Sequence, residues 1–406
     1  MAFIERLLRD PLALIFTLIS LFYAVRGLRL VRVAWERRDA LRQEPLTGWK
    51  KRWVEQADFY VSIPPGVLIH ETGHALAVLA FGGRVVEFGF GFYWGYVLPA
   101  GTFTAAQEWF ISLAGTLGTL VYSIGLWLLL RRSEASAWRY FGLRALRVNH
   151  IYALVYYPLF TFFTFIGDWR TIYDFGATPL LSGITLLVHL GLLALFWRAN
   201  RQGWFEMPAF RSAAEEDEFR KLREQAAQNP DNERLQLRTI EALRQRGSTK
   251  EAKEQLHAFL RDHPRSAEGH LILAFLESQN KRQLPTNARR HVEQALRLGL
   301  SGSENVAAAN ALLGQYYLNV ERLDEAVRYL DAAVAAAQAP GGNLNLAHLH
   351  YLRALVQRRQ RRYDAALQDI EEAIRLAQAR NQEQAAAQYQ REKELIIHHG
   401  GSRPLP

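Results

Sequence analysis

The sequence predicts an all-α chain in two parts: a polytopic transmembrane helix bundle with a small β segment, then an α-solenoid of repeated helical hairpins. Three observations predict it. Apolar runs of membrane-helix length recur through residues 1–200. Amphipathic helical patterns fill residues 212–397 and repeat. A short stretch after the second apolar run is β-prone, aromatic and Gly-punctuated. The 406 residues suggest two or three domains. We place a membrane domain at 1–200, a linker at 201–211, the repeats at 212–397 and a tail at 398–406. The mean hydropathy of -0.12 averages an apolar half with a polar one and describes neither.

The first apolar run, 11–25, follows Arg6 and Arg9 and reads as a retained anchor, because no small-residue cleavage site comes after it. The second, 59–81, contains His70-Glu71-Thr72-Gly73-His74. HExxH on a helix puts two imidazoles on one face, where both can ligate one Zn²⁺, and places the Glu as general base on a water there. Ionisable residues at membrane depth are costly and mark functional sites by default. A surface helix could carry this motif by chance; a buried, unpaired cluster in an apolar run is expensive to explain as nothing.

Gly82-Gly83 ends the motif helix. The β-prone stretch 85–97 reads as one or two strands or a hairpin, whose edge would receive an extended peptide, or as a plain connecting loop. Apolar runs at 109–130, 150–166 and 180–197 complete five spans. Pro158 kinks the fourth and frees backbone groups that neighbours must satisfy. Charge is unequal across the connections. Nine Lys and Arg lie between the first and second runs and five between the third and fourth, against little more than Arg84 and Arg170 in the others. The positive-inside rule then puts the basic connections and the C-terminal half in the cytoplasm of a bacterial cell, with the bilayer as the first partner.

Net charge of +9 is largely this topology signal, so no nucleic-acid partner is expected. The absence of Cys excludes a disulfide framework and thiolate metal ligands. Beyond a Gly- and Pro-containing linker, Pro230 and Pro264 stand 34 residues apart, each closing a helical unit. That spacing is the tetratricopeptide period. Further units run through Ala309, Gly314, Tyr317 and Ala326, then through Leu352, Ala354, Tyr363 and Ala373, giving about four repeats with the last as a cap. An unrelated helical bundle is the plainer reading of this half. Such arrays bind peptides or proteins on a concave face, so a protein partner is expected here.

A hydrolytic zinc site needs a third ligand. The candidates are Asp168, Asp174, Glu108, His150 and His189, and Asp168, after Gly167 at the end of the kinked run, is favoured. VLIHETGHALAVLAFGGRVVEFGFGF, then WFISLAGTLGTLVYSIG with Ala114-Gly115, resembles the site-2 protease family of intramembrane zinc metalloproteases over residues 59–175. That family carries a later motif with Asn and Pro ending in Asp-Gly, whose Asp is the third zinc ligand; Pro158 and Asp168 match by type. This chain spaces them further apart, lacks an Asn just before the Pro and has Trp169 for the Gly. The resemblance implies hydrolysis of transmembrane segments of other proteins, with zinc on His70, His74 and Asp168 and Glu71 catalytic. It also implies a motif helix running inward, opposite to the charge rule, which we keep for the C-terminal half. The alternative is a membrane-anchored repeat scaffold whose metal site is vestigial or structural; an intact Glu71 favours the enzyme.

Overall fold

A computed structural model describes residues 11–164, 167–279, 281, 283–340 and 345–401. Arg6, Arg9, Ile166 and the end of the tail lie outside the described residues. The chain divides into two compact units: Met1–Ala227 with Gln245–Glu251, and Gln228–Arg244 with Ala252–Pro406.

In the first unit the opening helix runs Pro11–Glu36, well beyond the apolar run, because nothing that breaks a helix intervenes. At Gly27 the carbonyl of Tyr60 comes so close that a Cβ would overlap it. The second apolar run is not one helix. Helix Gly48–Tyr60 stops, and the motif helix starts afresh at Ile63 and ends at Ala80. Pro64 and Pro65 sit in its first turn, where a missing N–H leaves no bond unmade. Glycines then give way to a hairpin, β1 (Arg84–Phe90) paired antiparallel with β2 (Gly95–Ala100), with a bulge between Val85 and Glu87. Its tip is pinned: Ser20 donates to the Gly91 carbonyl at 2.7 Å, and the Tyr93 hydroxyl to that of Tyr60 at 2.9 Å.

Helix Ala105–Leu130 follows, opened by a capping box between Thr104 and Gln107. Helix Ser136–Ile151 packs on it and on Gly48–Tyr60, with Asp58 and Arg144 paired at 2.8 Å. The fourth run is a π-helical segment, Tyr152–Tyr156, continued by Tyr157–Thr164. A short helix Asp168–Ile172 and the long helix Pro179–Arg201 complete the apolar part. Lys51, nearly buried, donates to the carbonyls of Met207 and Gly247, both at 2.8 Å, which fixes the turn Gln245–Glu251 within this unit.

Two helices, Ala105–Leu130 and Pro179–Arg201, are long and apolar enough to cross a membrane; among the described residues no other is. Of the five spans that hydropathy predicts, these two are the ones the described residues support. The break at Val61–Ser62 leaves the motif helix 18 residues, about 27 Å at 1.5 Å per residue, and His70, Glu71 and His74 make it less apolar than those two. The π segment interrupts the fourth run, and the first helix carries Arg26, Arg29 and Arg32 beyond its apolar stretch.

The second unit is an array of helical hairpins of tetratricopeptide-like form. Ala267–Ser278 pairs with Thr286–Arg297, Ser303–Asn319 with Leu323–Gln338, and Leu346–Arg359 with Tyr363–Ala379; Glu383–Gly401 packs as the last helix. The corners repeat one chemistry. Glu321, Arg361 and Asn381 each adopt positive φ (59°, 61° and 54°) two residues before a helix begins. At each, the next residue's N–H returns to a carbonyl five residues back: Arg322 to Tyr317, Arg362 to Gln357, Gln382 to Ala377, all at 2.9 Å. This closure satisfies carbonyls that a helix end leaves free. Small residues admit close packing; Ala288, Ala309 and Ala326 are fully buried, with Val292, Leu313 and Leu330 filling between them.

Asp369 ties two helices of this array. It accepts from Arg353 Nε and Nη2 at 2.7 and 2.6 Å and pairs with His350 Nδ1 at 2.7 Å. Burial pushes its carboxyl up, but these hydrogen bonds and charges hold it below the ordinary carboxylate range. The folded value lies below the unfolded one. The stabilisation is therefore complete above the unfolded range, about pH 4, and is lost as pH falls through the folded value. Asp369→Asn is expected to destabilise helices Leu346–Arg359 and Tyr363–Ala379 by about 3 kcal/mol near neutrality. Hydrogen exchange of those helices should show the gap from wild type closing below about pH 4; a gap unchanged at acid pH would contradict the assignment.

Candidate metal centre

The motif helix brings His70, Glu71 and His74 inward; each is less than 9 % exposed. Positions four apart share a helix face, and the two rings stand 4.7 Å apart, nearly perpendicular. Asp168 meets them from the far end of the unit's sequence. Its Oδ2 lies 3.0 Å from Nε2 of His70 and 3.0 Å from Nε2 of His74. One ligand atom from each of the three residues falls within 4.8 Å of the others, the one such group among the described residues.

The other nitrogen of each ring is held. His74 Nδ1 lies 2.7 Å from the carbonyl of Ile111, which can only accept, so Nδ1 carries the proton. His70 Nδ1 lies 3.2 Å from Thr119 Oγ1, whose own hydrogen goes to the Gly115 carbonyl at 3.4 Å. When the rings are neutral, each therefore presents a bare Nε2. Two lone pairs and a carboxylate oxygen then point at one spot. Acceptors so placed repel unless a cation or protons sit among them, and a carboxylate–imidazole set with its outer nitrogens anchored is the arrangement a divalent metal uses. His70, His74 and Asp168 fit such an ion.

The wall opposite is made by absence of side chains. A Cβ on Gly115 would overlap Nε2 of both histidines, and one on Gly118 would stand 2.8 Å from the Ile69 carbonyl. At Gly73 a Cβ would strike the backbone of Ala114. Glu71 lies under β2, where a Cβ on Gly95 would come 2.8 Å from its Oε1.

Asp168 owes its place to the kinked run. Pro158 has no N–H for the carbonyl four residues back, that of Leu154, and its ring would crowd it. The backbone widens into the π segment, so that Tyr157 N–H reaches Tyr152. His189 Nε2 donates to the freed Leu154 carbonyl at 2.8 Å while Nδ1 faces the Tyr173 hydroxyl at 2.6 Å. The His189 ring packs on Trp169, centroids 4.6 Å apart, and Trp169 is 1 % exposed. Thus Trp169, which stands where the resemblance expects Gly, is itself packed in place beside Asp168.

The remaining third-ligand candidates do not join the group. His189 is the clip just described. His150 Nδ1 faces the Leu146 carbonyl at 2.9 Å, and its ring stacks on Phe196. Asp174 accepts from the N–H groups of Gly176 and Ala177, both at 3.0 Å, which caps a turn. Glu108 is exposed in the first turn of its helix. Sequence reasoning missed Tyr157, whose hydroxyl donates to Asp168 Oδ2 at 2.8 Å, and Thr119. The available signal was a polar tip within an apolar run, which must find a partner when buried.

No family model matches the chain, and no curated protein matches it. Among solved structures, MamA is similar at 18 % identity and TM-score 0.31 over 40 % of this chain and 89 % of that one. MamA from Desulfovibrio magneticus RS-1 is similar at 16 % identity and TM-score 0.30 over 43 % and 98 %. YrrB, described as a TPR protein with an unusual peptide-binding site, is similar at 14 % identity and TM-score 0.32 over 45 % and 93 %. Likenesses this distant decide nothing alone; the repeat form rests on the hairpins and corners above. The resemblance to the site-2 protease family draws no support from these comparisons.

His189→Ala leaves the Leu154 carbonyl unpaired and removes the support under Trp169. It is expected to destabilise the first unit by about 2 kcal/mol and to speed hydrogen exchange at residues 168–172, which mass spectrometry of the detergent-solubilised chain would read.

Proposed function

We propose that the chain is a membrane-embedded zinc endopeptidase of site-2 protease type, with the helical repeats recruiting substrate or regulator. The observation that carries this reading is the convergence of His70, His74 and Asp168 beside Glu71 in an apolar setting. The set of two imidazoles and one carboxylate suits hydrolytic zinc, which leaves a position for a water. Support for the membrane comes from the two apolar helices, whose outward faces carry Val121, Leu129, Leu180 and Leu187. The further spans, their number and a cytoplasmic repeat unit belong to this proposal and rest on hydropathy and charge.

Zinc, when bound, supplies Lewis acidity that polarises a peptide carbonyl and acidifies a water. The chain's own residues do the rest. Glu71 takes the proton from the attacking water and returns it to the leaving amine. Ile111 and Thr119 hold the imidazoles in one tautomer throughout. The backbone of β1 and β2 offers hydrogen bonds to an extended substrate, which a helical membrane segment becomes only by unwinding.

A second reading is favoured by a separate observation. The packed hairpins form a compact unit of their own, and partner binding asks less of the structure than hydrolysis does. On this reading the chain is an anchored tetratricopeptide-like scaffold that binds a protein partner, and the cluster is vestigial or structural. Nothing among the solved relatives speaks for protease activity.

Zinc content together with the effect of Glu71→Gln separates these readings. Purified wild type should hold about one zinc per chain, a single site of this kind, and Asp168→Ala much less. Gly115→Ala should also lose it, with helix content unchanged by circular dichroism. Glu71→Gln should keep its zinc and lose cleavage of a transmembrane test peptide by about a hundredfold or more. Full zinc with unchanged function in Glu71→Gln would leave the scaffold; no zinc in folded wild type after adding it back would sink the protease.

A further inference from the structure

Asp168 is braced at two points, carboxylate and backbone, by one side chain. The Tyr157 hydroxyl donates to Oδ2 at 2.8 Å, the same oxygen that lies 3.0 Å from both Nε2 atoms. The same hydroxyl accepts from the Asp168 backbone N–H at 3.3 Å. An aspartate free to turn about its last bond presents either oxygen, or both. With one oxygen held by the phenol and the backbone held beside it, the carboxylate has a single pose. The Tyr157 ring also stands edge-on to His70, centroids 5.3 Å apart at 77°, so it backs a second ligand. Local structure prepares this. Tyr157 follows the π segment directly, and Gly167, at φ 125°, opens the chain next to it. A Cβ on Gly167 would come 2.7 Å from Thr161 Oγ1 and 3.2 Å from the Tyr157 hydroxyl. Gly167 therefore keeps room for the brace.

We infer that Tyr157 is a positioning residue for the metal: it holds Asp168 to ligation through one oxygen and so sets the affinity and geometry of the site. The inference rests on the metal reading proposed above. It concerns how the ion is held and does not require hydrolysis. Partners that orient a ligand in this way change metal affinity by about ten- to a hundredfold when removed.

The test is a cobalt(II) titration of the full chain in detergent, followed by its visible absorption, with zinc competition for affinity. Tyr157→Phe should weaken binding by about tenfold or more and shift the cobalt bands, while Tyr156→Phe, at an exposed neighbouring ring, leaves both unchanged. Wild-type affinity and an unshifted spectrum in folded Tyr157→Phe would overturn the inference. Should that variant not fold, 3-fluorotyrosine at position 157 carries the test. It keeps the shape and strengthens the donor, so the bands shift if the hydroxyl bears on the ligand oxygen, and unshifted bands overturn the inference. Wild type that takes up neither cobalt nor zinc is a different failure: it removes the metal reading itself, and this inference with it.

Discussion

Two imidazole Nε2 atoms and one carboxylate oxygen meet at one point in this protein, and several elements of the first unit hold them there. With both rings neutral, two lone pairs and a carboxylate oxygen repel unless a cation or a proton sits among them. They stay because each is tied from behind: His74 by a backbone carbonyl, His70 by a threonine, Asp168 by a tyrosine and its own chain. The ties come from different stretches of sequence. The helix that carries Ile111, Gly115 and Thr119 packs on the motif helix along glycines, and Tyr157, directly after the π segment, holds Asp168. A buried polar cluster is tolerable only when satisfied throughout, and the outer atoms of this one are satisfied.

Some of this was legible in residue order. His70, Glu71 and His74 needed only the helical repeat, since i and i+4 share a face whatever the tertiary fold. Asp168 could be favoured because an acid beside an apolar run wants a reason. Its rivals could not be excluded in the same way. A histidine in an apolar run reads alike whether it ligates a metal or meets a carbonyl, and for His189 the carbonyl exists only because Pro158, far away in sequence, set it free. Hydropathy runs straight through Val61–Ser62 and hides the helix break there, although Pro64 and Pro65 mark a helix start in their own right. The hairpins were visible as period; their shared corners were not, because Glu321, Arg361 and Asn381 have no side chain in common and agree only in backbone.

The two units solve different problems. In the array, stability is spread over many small contacts between neighbouring hairpins, and each corner repeats the last. In the first unit, a few polar contacts between distant elements fix one constellation. The kinked run shows how a local defect becomes useful there. Losing one backbone bond at Pro158 leaves the Leu154 carbonyl free for His189, and His189 supports Trp169. The irregular backbone is thus stitched back into the fold through side chains.

The glycine seam between the motif helix and its neighbour bears on how any mutational survey of this protein is read. Gly73 and Gly118 bring backbone against backbone, so every other residue type there forces the helices apart and moves the histidines with them. In a survey scored by metal binding alone, these two positions are expected to rank with His70 itself, although neither owns a side chain that could touch an ion. Intolerance to substitution is then a map of distances between helices as much as of chemistry.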